Sequence, residues 1–242
     1  MPFTACAALA SASGAEATQS AQLIARRVEA RYHSVSTLKA RFLERYSEDR
    51  RDARVESGTV YFRRPGRMRW EYESPEEKLF VADGKTVWFY VPADRTVSRA
   101  RTKESSDWRT PLAWLTGKVK LSRLCRRIEL VTDPASLAGV PSNHAMLRCL
   151  PRGENATQGK RELEPATELS SEPGPFLEVL LEVDPVSGEL ARVLVRDTGG
   201  TQIEYRFANW QQNLPLPEAM FHFRAPPGVA IVDESAMIAA PR

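Results

Sequence analysis

The sequence contains few of the residues that most often carry out catalysis or bind metals. Its 242 residues include only three histidines (His33, His144 and His222) and three cysteines. No histidine has metal-ligand spacing to another histidine or to a cysteine. Neither a G-x-S-x-G motif nor a G-x-x-x-x-G-K phosphate loop occurs. These absences predict a protein that is not an enzyme and that has no catalytic residues, bound metal or cofactor.

Long apolar runs and a strong net charge are also absent. No run approaches the roughly 18 apolar residues of a membrane-spanning helix. The 34 basic and 31 acidic residues are interspersed and give a formal net charge of +3. Since no nucleic-acid-binding motif accompanies this charge, we expect no nucleic-acid partner. The hydrophobic content of 42% is that of an ordinary globular protein with a sizeable core.

Composition divides the chain into a short leader and one domain. Residues 1–15 are small and apolar, and their A-x-A-like steps at residues 8–12 are typical of the tail of a secretory signal peptide. A disordered leader is the alternative interpretation. Residues 16–242 then form a single domain. Within it, residues 151–175 are rich in Gly, Glu, Pro and Ser, which predicts a mobile insertion.

The cysteines bear on the compartment of the protein. Cleavage of the leader would remove Cys6 and leave Cys125 and Cys149, each in a strand-like segment. In an oxidising compartment these two form a candidate disulfide pair. Two unrelated buried thiols are an equally good interpretation.

Two segments predict helices. In residues 16–32, Ile24, Val28 and Tyr32 recur at i, i+4 and i+8, and charged residues lie on the opposite face. Such an amphipathic helix must cover an apolar surface. Residues 110–117 predict a shorter helix, with Thr-Pro at its start and glycine at its end.

The rest of the chain predicts an antiparallel sheet of about ten or eleven strands. Apolar and charged side chains alternate over residues 38–45, as in a half-buried strand. Asp83-Gly84 predicts a type I′ hairpin turn, in which both central residues have positive φ. Further predicted strands include residues 119–131, 220–224 and 229–233.

The strand at residues 85–91 is apolar on both faces. Trp88 and Tyr90 point one way, and Val87 and Phe89 point the other, so both faces need cover. A large antiparallel meander usually curls to protect its edges. A curled sheet with an amphipathic helix over its mouth encloses an apolar cavity, which favours lipid binding. Ordinary core packing is the alternative interpretation of these aromatic residues.

A series of short motifs runs along most of the chain outside the 151–175 insertion. The motifs are residues 35–42, Arg64-Pro65, Trp70, residues 81–90, residues 110–112, residues 221–223 and residues 226–229. In this order they resemble the LolA family, the periplasmic carriers of outer-membrane lipoproteins.

The resemblance implies a fold and a set of site residues. The fold is an incomplete, strongly curled antiparallel β-barrel of about eleven strands, with helices that form a lid over a hydrophobic cavity. The resemblance gives Arg64 the role of a latch for the lid, and the five fixed donors of a guanidinium suit that role. Met68 stands where the family usually has a bulky aromatic residue, and methionine is more adaptable. The predicted residues of the acyl-chain cavity are Ile24, Val28, Phe42, Met68, Trp70, Tyr72, Trp88, Tyr90, Leu112 and Leu115.

The resemblance also implies a function without chemistry. A periplasmic, monomeric carrier would bind the acyl chains of lipoproteins and shuttle them from an inner-membrane ABC transporter to the outer membrane. An outer-membrane receptor is a further candidate partner. Other functions stay open: a related module that carries another lipid or senses envelope stress, an enzyme that acts on lipids or cell-wall material, and a structural half-barrel that binds through an edge strand.

Overall fold

The computed structural model describes residues 9–48, 51–101, 110–117, 119–152 and 176–233. Cys6 and most of the predicted insertion lie outside these residues. Helix α1 spans Leu9–His33, and the four-residue helix α2 spans Leu121–Leu124. Two 3₁₀ helices cover Thr110–Thr116 and Glu218–Phe221. In the part of the chain described here, no helix is long and apolar enough to cross a membrane.

The described residues form one sheet of twelve strands, in the order β12-β6-β5-β4-β3-β2-β1-β11-β10-β9-β8-β7. All neighbours are antiparallel except β12 and β6. The strands are β1 Thr37–Glu48, β2 Arg51–Arg63, β3 Arg67–Ser74, β4 Lys78–Ala82, β5 Thr86–Val91, β6 Thr96–Arg101, β7 Cys125–Leu130, β8 Ala145–Pro151, β9 Phe176–Val183, β10 Leu190–Asp197, β11 Thr201–Gln212 and β12 Ala230–Asp233.

The sheet curls around one main core. Val87 on β5 and Leu147 on β8 are far apart in strand order, yet both belong to one buried cluster with the apolar face of α1. The sheet stays open, because β12 and β7 form two separate edges. The prediction of a mainly β fold, with an incomplete curled barrel and helices over it, is therefore confirmed.

The hydrophobic alternation places the same face of each strand towards this core. Leu38, Phe62, Met68, Ala82 and Val87 are aligned across β1 to β5, and all five are buried. Because successive side chains alternate between the faces of a strand, this register fixes which residues face inward on all five strands.

Three local predictions were wrong. Residues 220–224 form no strand: a 3₁₀ helix ends at Phe221 and irregular chain follows. The strand predicted at residues 119–131 begins only at Cys125, after helix α2. The turn at Asp83-Gly84 is not type I′, because only Gly84 has positive φ. Instead, the Asp83 carboxylate accepts backbone N–H groups of Lys85 and Thr86 at 2.8 and 2.7 Å, which is an Asx turn.

The sequence reading also missed a strand. β6, Thr96–Arg101, carries two arginines within six residues, and its apolar alternation is limited to Val97 and Ala100. Pairing with β5 on one side and β12 on the other stabilises it as a strand.

Candidate functional site on the concave face

An aromatic cluster fills the concave face of the sheet around Trp70. The ring of Phe42 lies 4.8 Å from that of Trp70, and the ring of Tyr205 lies 5.3 Å from it on the other side. Trp70 and Tyr205 are fully buried. Edge-to-face and tilted aromatic pairs of this kind contribute stability beyond the area that they bury. The concave face therefore presents a continuous apolar surface.

Helix α1 and the 3₁₀ helix Thr110–Thr116 cover this surface. Val28 and Leu112 are completely buried in the same cluster as Trp70. The ring of Tyr32 packs edge-on against that of Trp114 at 5.5 Å, which joins the two helices to each other. An apolar ligand could reach the concave face only after these helices move.

Eight of the ten predicted cavity residues come together in this cluster. Their exposed fractions are 8% or less. They are Ile24, Val28, Phe42, Met68, Trp70, Tyr72, Leu112 and Leu115. Whether they contact a ligand stays a prediction.

The structure corrects the placement of Trp88 and Tyr90. Val87 and Phe89 of β5 pack on the core cluster, so the alternate residues Trp88 and Tyr90 face outward. Both of their rings pack against Phe223, at 5.5 and 5.6 Å. The C-terminal segment thus covers the second apolar face of β5. When both faces of a strand are apolar, the sequence of that strand does not indicate which face points inward.

Arg64 joins the sheet to the covering helices. Its Nη2 donates to the carbonyl oxygen of Tyr32, in the last turn of α1, and its Nη1 lies 3.5 Å from Nδ1 of His33. Burial lowers the pKa of the Arg64 guanidinium from its ordinary value, yet an arginine stays charged at neutral pH. A cation at this position also interacts favourably with the negative end of the helix dipole.

Gly117 provides the space for the Arg64 guanidinium. It follows the 3₁₀ helix and has a φ of +72°. A Cβ atom there would lie 2.2 Å from Nη1 of Arg64. In addition, the N–H of Gly66 donates to the carbonyl of Thr116 at 3.2 Å. The corner after β2 therefore contacts both covering helices.

A second attachment, which the sequence reading missed, joins α1 to the turn between β9 and β10. The N–H of Leu190 donates to the Tyr32 hydroxyl at 2.9 Å, and Nη1 of Arg27 donates to the carbonyl of Pro185 at 2.8 Å. Arg31 and Glu189 form an ion pair. Burial, partly offset by the Leu190 hydrogen bond, raises the pKa of Tyr32 to about 12. Tyr32 is thus held through its carbonyl on one side and its hydroxyl on the other.

Gly188 permits the close approach of this turn to α1. It has a φ of +71°, and a Cβ atom there would lie 2.9 Å from the backbone of Arg27. The glycine at the end of the Asp184–Gly188 turn is a sequence signal for a tight turn at this place. What the sequence could not provide is the identity of the helix that packs there.

Cys125 and Cys149 are joined by a disulfide, with their Cα atoms 5.3 Å apart. Both cysteines are buried in the core cluster and connect the edge strand β7 to β8. Among the described residues, no group of three or more His, Cys, Asp or Glu side chains could hold a metal ion.

An open, curled antiparallel sheet with a helical cover fastened by Arg64 and Tyr32 defines the class of half-barrels with a helical lid. Comparison with known sequences shows which proteins of this class the chain resembles. The profile of the family described as outer membrane lipoprotein carrier protein LolA matches residues 33–134.

Individual relatives extend the match. The outer-membrane lipoprotein carrier protein of Nitrosospira multiformis is 28% identical over 178 residues, which are 74% of this chain and 72% of that protein. That of Bordetella avium is 29% identical over 181 residues, 74% of this chain and 71% of that protein. Over these residues the chain is similar to the carriers of the LolA family.

A comparison of structures gives a weaker likeness. The crystal structure of a LolA superfamily protein from Nitrosomonas europaea aligns with a TM-score of 0.41 and 10% sequence identity, and the alignment covers 84% of this chain and 97% of that chain.

Proposed function

We propose that this protein is a periplasmic carrier that holds the acyl chains of lipoproteins against its concave face and shuttles them to the outer membrane. The observation that carries the proposal is the covered aromatic surface around Trp70, fastened by Arg64. Similarity to a family of outer-membrane lipoprotein carriers supports it. The wider alternative, a related module that carries another lipid, shares this surface and differs in its cargo.

The binding step follows from the hydrophobic effect. Each methylene that leaves water for the concave face contributes about 0.8 kcal/mol. Several long acyl chains would therefore bind too tightly to leave a permanently open face. In this mechanism α1 and the 3₁₀ helix close over the empty face, and their displacement by cargo costs part of that energy. The closed lid thereby keeps transfer reversible.

The partners follow from the same mechanism. An inner-membrane ABC transporter would deliver acylated lipoproteins, and the outer membrane or a receptor there would accept them. The protein acts as a monomer and contributes no catalytic residue, since transfer requires only differences in binding free energy.

The cargo can be identified with protein purified from its own periplasm. We expect native mass spectrometry with lipid extraction to find a triacylated lipoprotein. A free phospholipid or glycolipid as the bound species would contradict the lipoprotein assignment and favour the module that carries another lipid.

The latch can be tested with Arg64→Leu. We expect spontaneous release of bound lipoprotein to slow about ten- to hundredfold, because a hydrogen bond to a charged group contributes about 1.5–3 kcal/mol and about 1.4 kcal/mol is a factor of ten. The measurement is release of a fluorescent lipoprotein from the purified complex.

The neighbouring Arg63→Leu is a matched control for this variant. Arg63 also donates to a backbone carbonyl, but that carbonyl belongs to Leu216, away from the lid. Unchanged release in Arg64→Leu, or an equal slowing in both variants, would remove the latch from the mechanism.

A further inference from the structure

A pocket of about 910 Å³ lies beside the Arg64 latch, at the margin of the apolar core. It is bordered by the last turns of α1, the end of the 3₁₀ helix, α2 and the end of β8. The cationic side chains that line it are Arg26, Arg64, Lys120, Arg123 and Arg152. Glu29 is the single carboxylate among the lining residues, and its Oε1 already accepts the backbone N–H of Ser122 at 2.7 Å.

These cations differ from the arginines on the outer face of the sheet. There, arginine side chains have carboxylate partners on the same strand or one or two strands away: Arg41 with Glu73, Arg69 with Glu71, Arg192 with Glu182, and Arg196 with Glu178. Within the described ranges, none of the five pocket cations has a carboxylate partner. Five like charges in one concave space repel one another, and an anion in that space would relieve the repulsion.

The lining also indicates the size and polarity of a ligand. The volume falls in the range of small-molecule pockets, about 300–1,000 Å³, rather than that of a flat protein interface. Trp114, Leu121 and Leu124 line the same space as the cations. A ligand that matches both parts has an anionic head and an apolar portion. Four of the five cations are guanidinium groups, whose planar fork matches the oxygens of a phosphate.

From this arrangement, we propose that the pocket is a binding site for a phosphate ester, either the headgroup of an anionic phospholipid or free phosphate. The site goes beyond the carrier function, because the acyl chains of the cargo occupy the concave face and not this pocket. Arg64 contributes to both places, so the variants that test the pocket leave Arg64 unchanged.

The test is isothermal titration calorimetry of the full chain at low salt with two probes, dihexanoyl phosphatidylglycerol below its micelle concentration and inorganic phosphate. We expect saturable binding with one site per chain. The variant Lys120→Ala/Arg123→Ala should weaken it at least tenfold, because both side chains line the pocket, and both residues are exposed, which favours correct folding. The control Lys85→Ala/Arg224→Ala removes the same charge from exposed residues outside the pocket and should change affinity less than twofold.

Each result has a defined meaning. Tighter binding of the lipid than of phosphate supports the headgroup as the source, and equal binding supports free phosphate. No saturable binding of either probe, or an equal loss in both double variants, overturns the site. Tighter binding of hexaglutamate than of both phosphate probes, lost in Lys120→Ala/Arg123→Ala, overturns it in favour of an acidic peptide.

The outcome is separable from that of the carrier proposal. A protein that binds lipoprotein acyl chains but neither phosphate probe would overturn only the pocket. A protein that binds phosphatidylglycerol through Lys120 and Arg123 but no lipoprotein would overturn only the carrier function.

Discussion

At the scale of single residues, the aromatic packing of the concave face depends on Gly58. In the strand register Gly58 lies between Phe42 on β1 and Tyr72 on β3. The absence of a side chain lets those two rings meet with centroids 5.0 Å apart. A Cβ atom at Gly58 would lie 1.9 Å from the carbonyl oxygen of Glu71 and 3.0 Å from the Phe42 ring.

Gly58→Ala should therefore destabilise the fold by about 3 kcal/mol, since both backbone and ring must shift. Urea unfolding followed by tryptophan fluorescence measures this loss. Gly199→Ala is the control, because a Cβ atom there meets nothing closer than 3.5 Å. Similar unfolding midpoints for the two variants would contradict the proposed packing.

Tyr32 makes the stability of the folded protein depend on pH. Its folded-state pKa of about 12 lies above its ordinary value of 10.0, mainly because of burial. Between those values the folded protein keeps a proton that the unfolded chain has lost. The stability from Tyr32 is therefore fully present below pH 10 and is lost as pH rises towards 12.

Between pH 10 and pH 12, Tyr32 should cause the free energy of unfolding of the wild type to fall by about 2 to 3 kcal/mol. The variant Tyr32→Phe should not show this fall. The variant should also be less stable at neutral pH by about 1–3 kcal/mol, because the N–H of Leu190 loses its acceptor. Denaturant unfolding from pH 8 to pH 12 measures both effects. Parallel pH profiles for wild type and variant would refute the assignment.

At the scale of elements, the position of α1 is set by contacts at both sides of its last turns. The Arg64 guanidinium holds it from the β2–β3 corner, and the turn that ends at Gly188 holds it from β9 and β10. Because the lid is attached at two places, it opens only when the contacts at both places break. This arrangement explains why a helix with only one apolar face stays closed over the core.

Gly188→Ala should loosen the second attachment. Its positive φ disfavours alanine by about 1–2 kcal/mol, and the added Cβ atom would also push against the backbone of Arg27. We expect faster amide hydrogen exchange in α1, with little change in β1. Gly139→Ala is a close control, since Gly139 has a φ of +76° and a Cβ atom there meets nothing within 4 Å. If both variants leave exchange in α1 unchanged, the turn does not restrain the helix.

At the scale of the whole molecule, the open sheet needs its last edge strand held in place. Among the described strands, β7 pairs only with β8, and α1 packs against it as part of the lid. The Cys125–Cys149 disulfide links β7 to β8 inside the core cluster. A covalent link at this edge preserves the surface on which the lid rests.

Reduction should lower the free energy of unfolding by about 3.5 kcal/mol, the chain-entropy value for a loop of this length. The two cysteines are 24 residues apart. Urea unfolding with and without a reductant measures the difference. The double variant Cys125→Ser/Cys149→Ser should not respond to reductant. A wild-type midpoint that reductant leaves unchanged would show that the bond does not stabilise the fold in solution.

Much of the fold could be predicted because its signals are local. Alternation in residues 38–45 and 68–72 and the apolar stripe of α1 depend on neighbours one to four positions away. Six of the eight cavity residues that meet in the core cluster lie in these segments, and the role of Arg64 came from the family resemblance. Thr96–Arg101 was missed for the opposite reason: its strand pairing is long-range, and its own side chains carry a weak pattern.

The sequence by itself determined the class of secondary structure, the amphipathic helix and the resemblance to the LolA family, since each depends on the residue types in short stretches of the chain. Only the tertiary structure decided which face of β5 is inner and that Tyr32 is held from two sides. It also decided that four further cations, which have no carboxylate partner among the described residues, converge beside Arg64. The physical reason is that these features depend on contacts between residues up to about 158 positions apart, and a curled sheet brings such residues together without a local signal in the sequence.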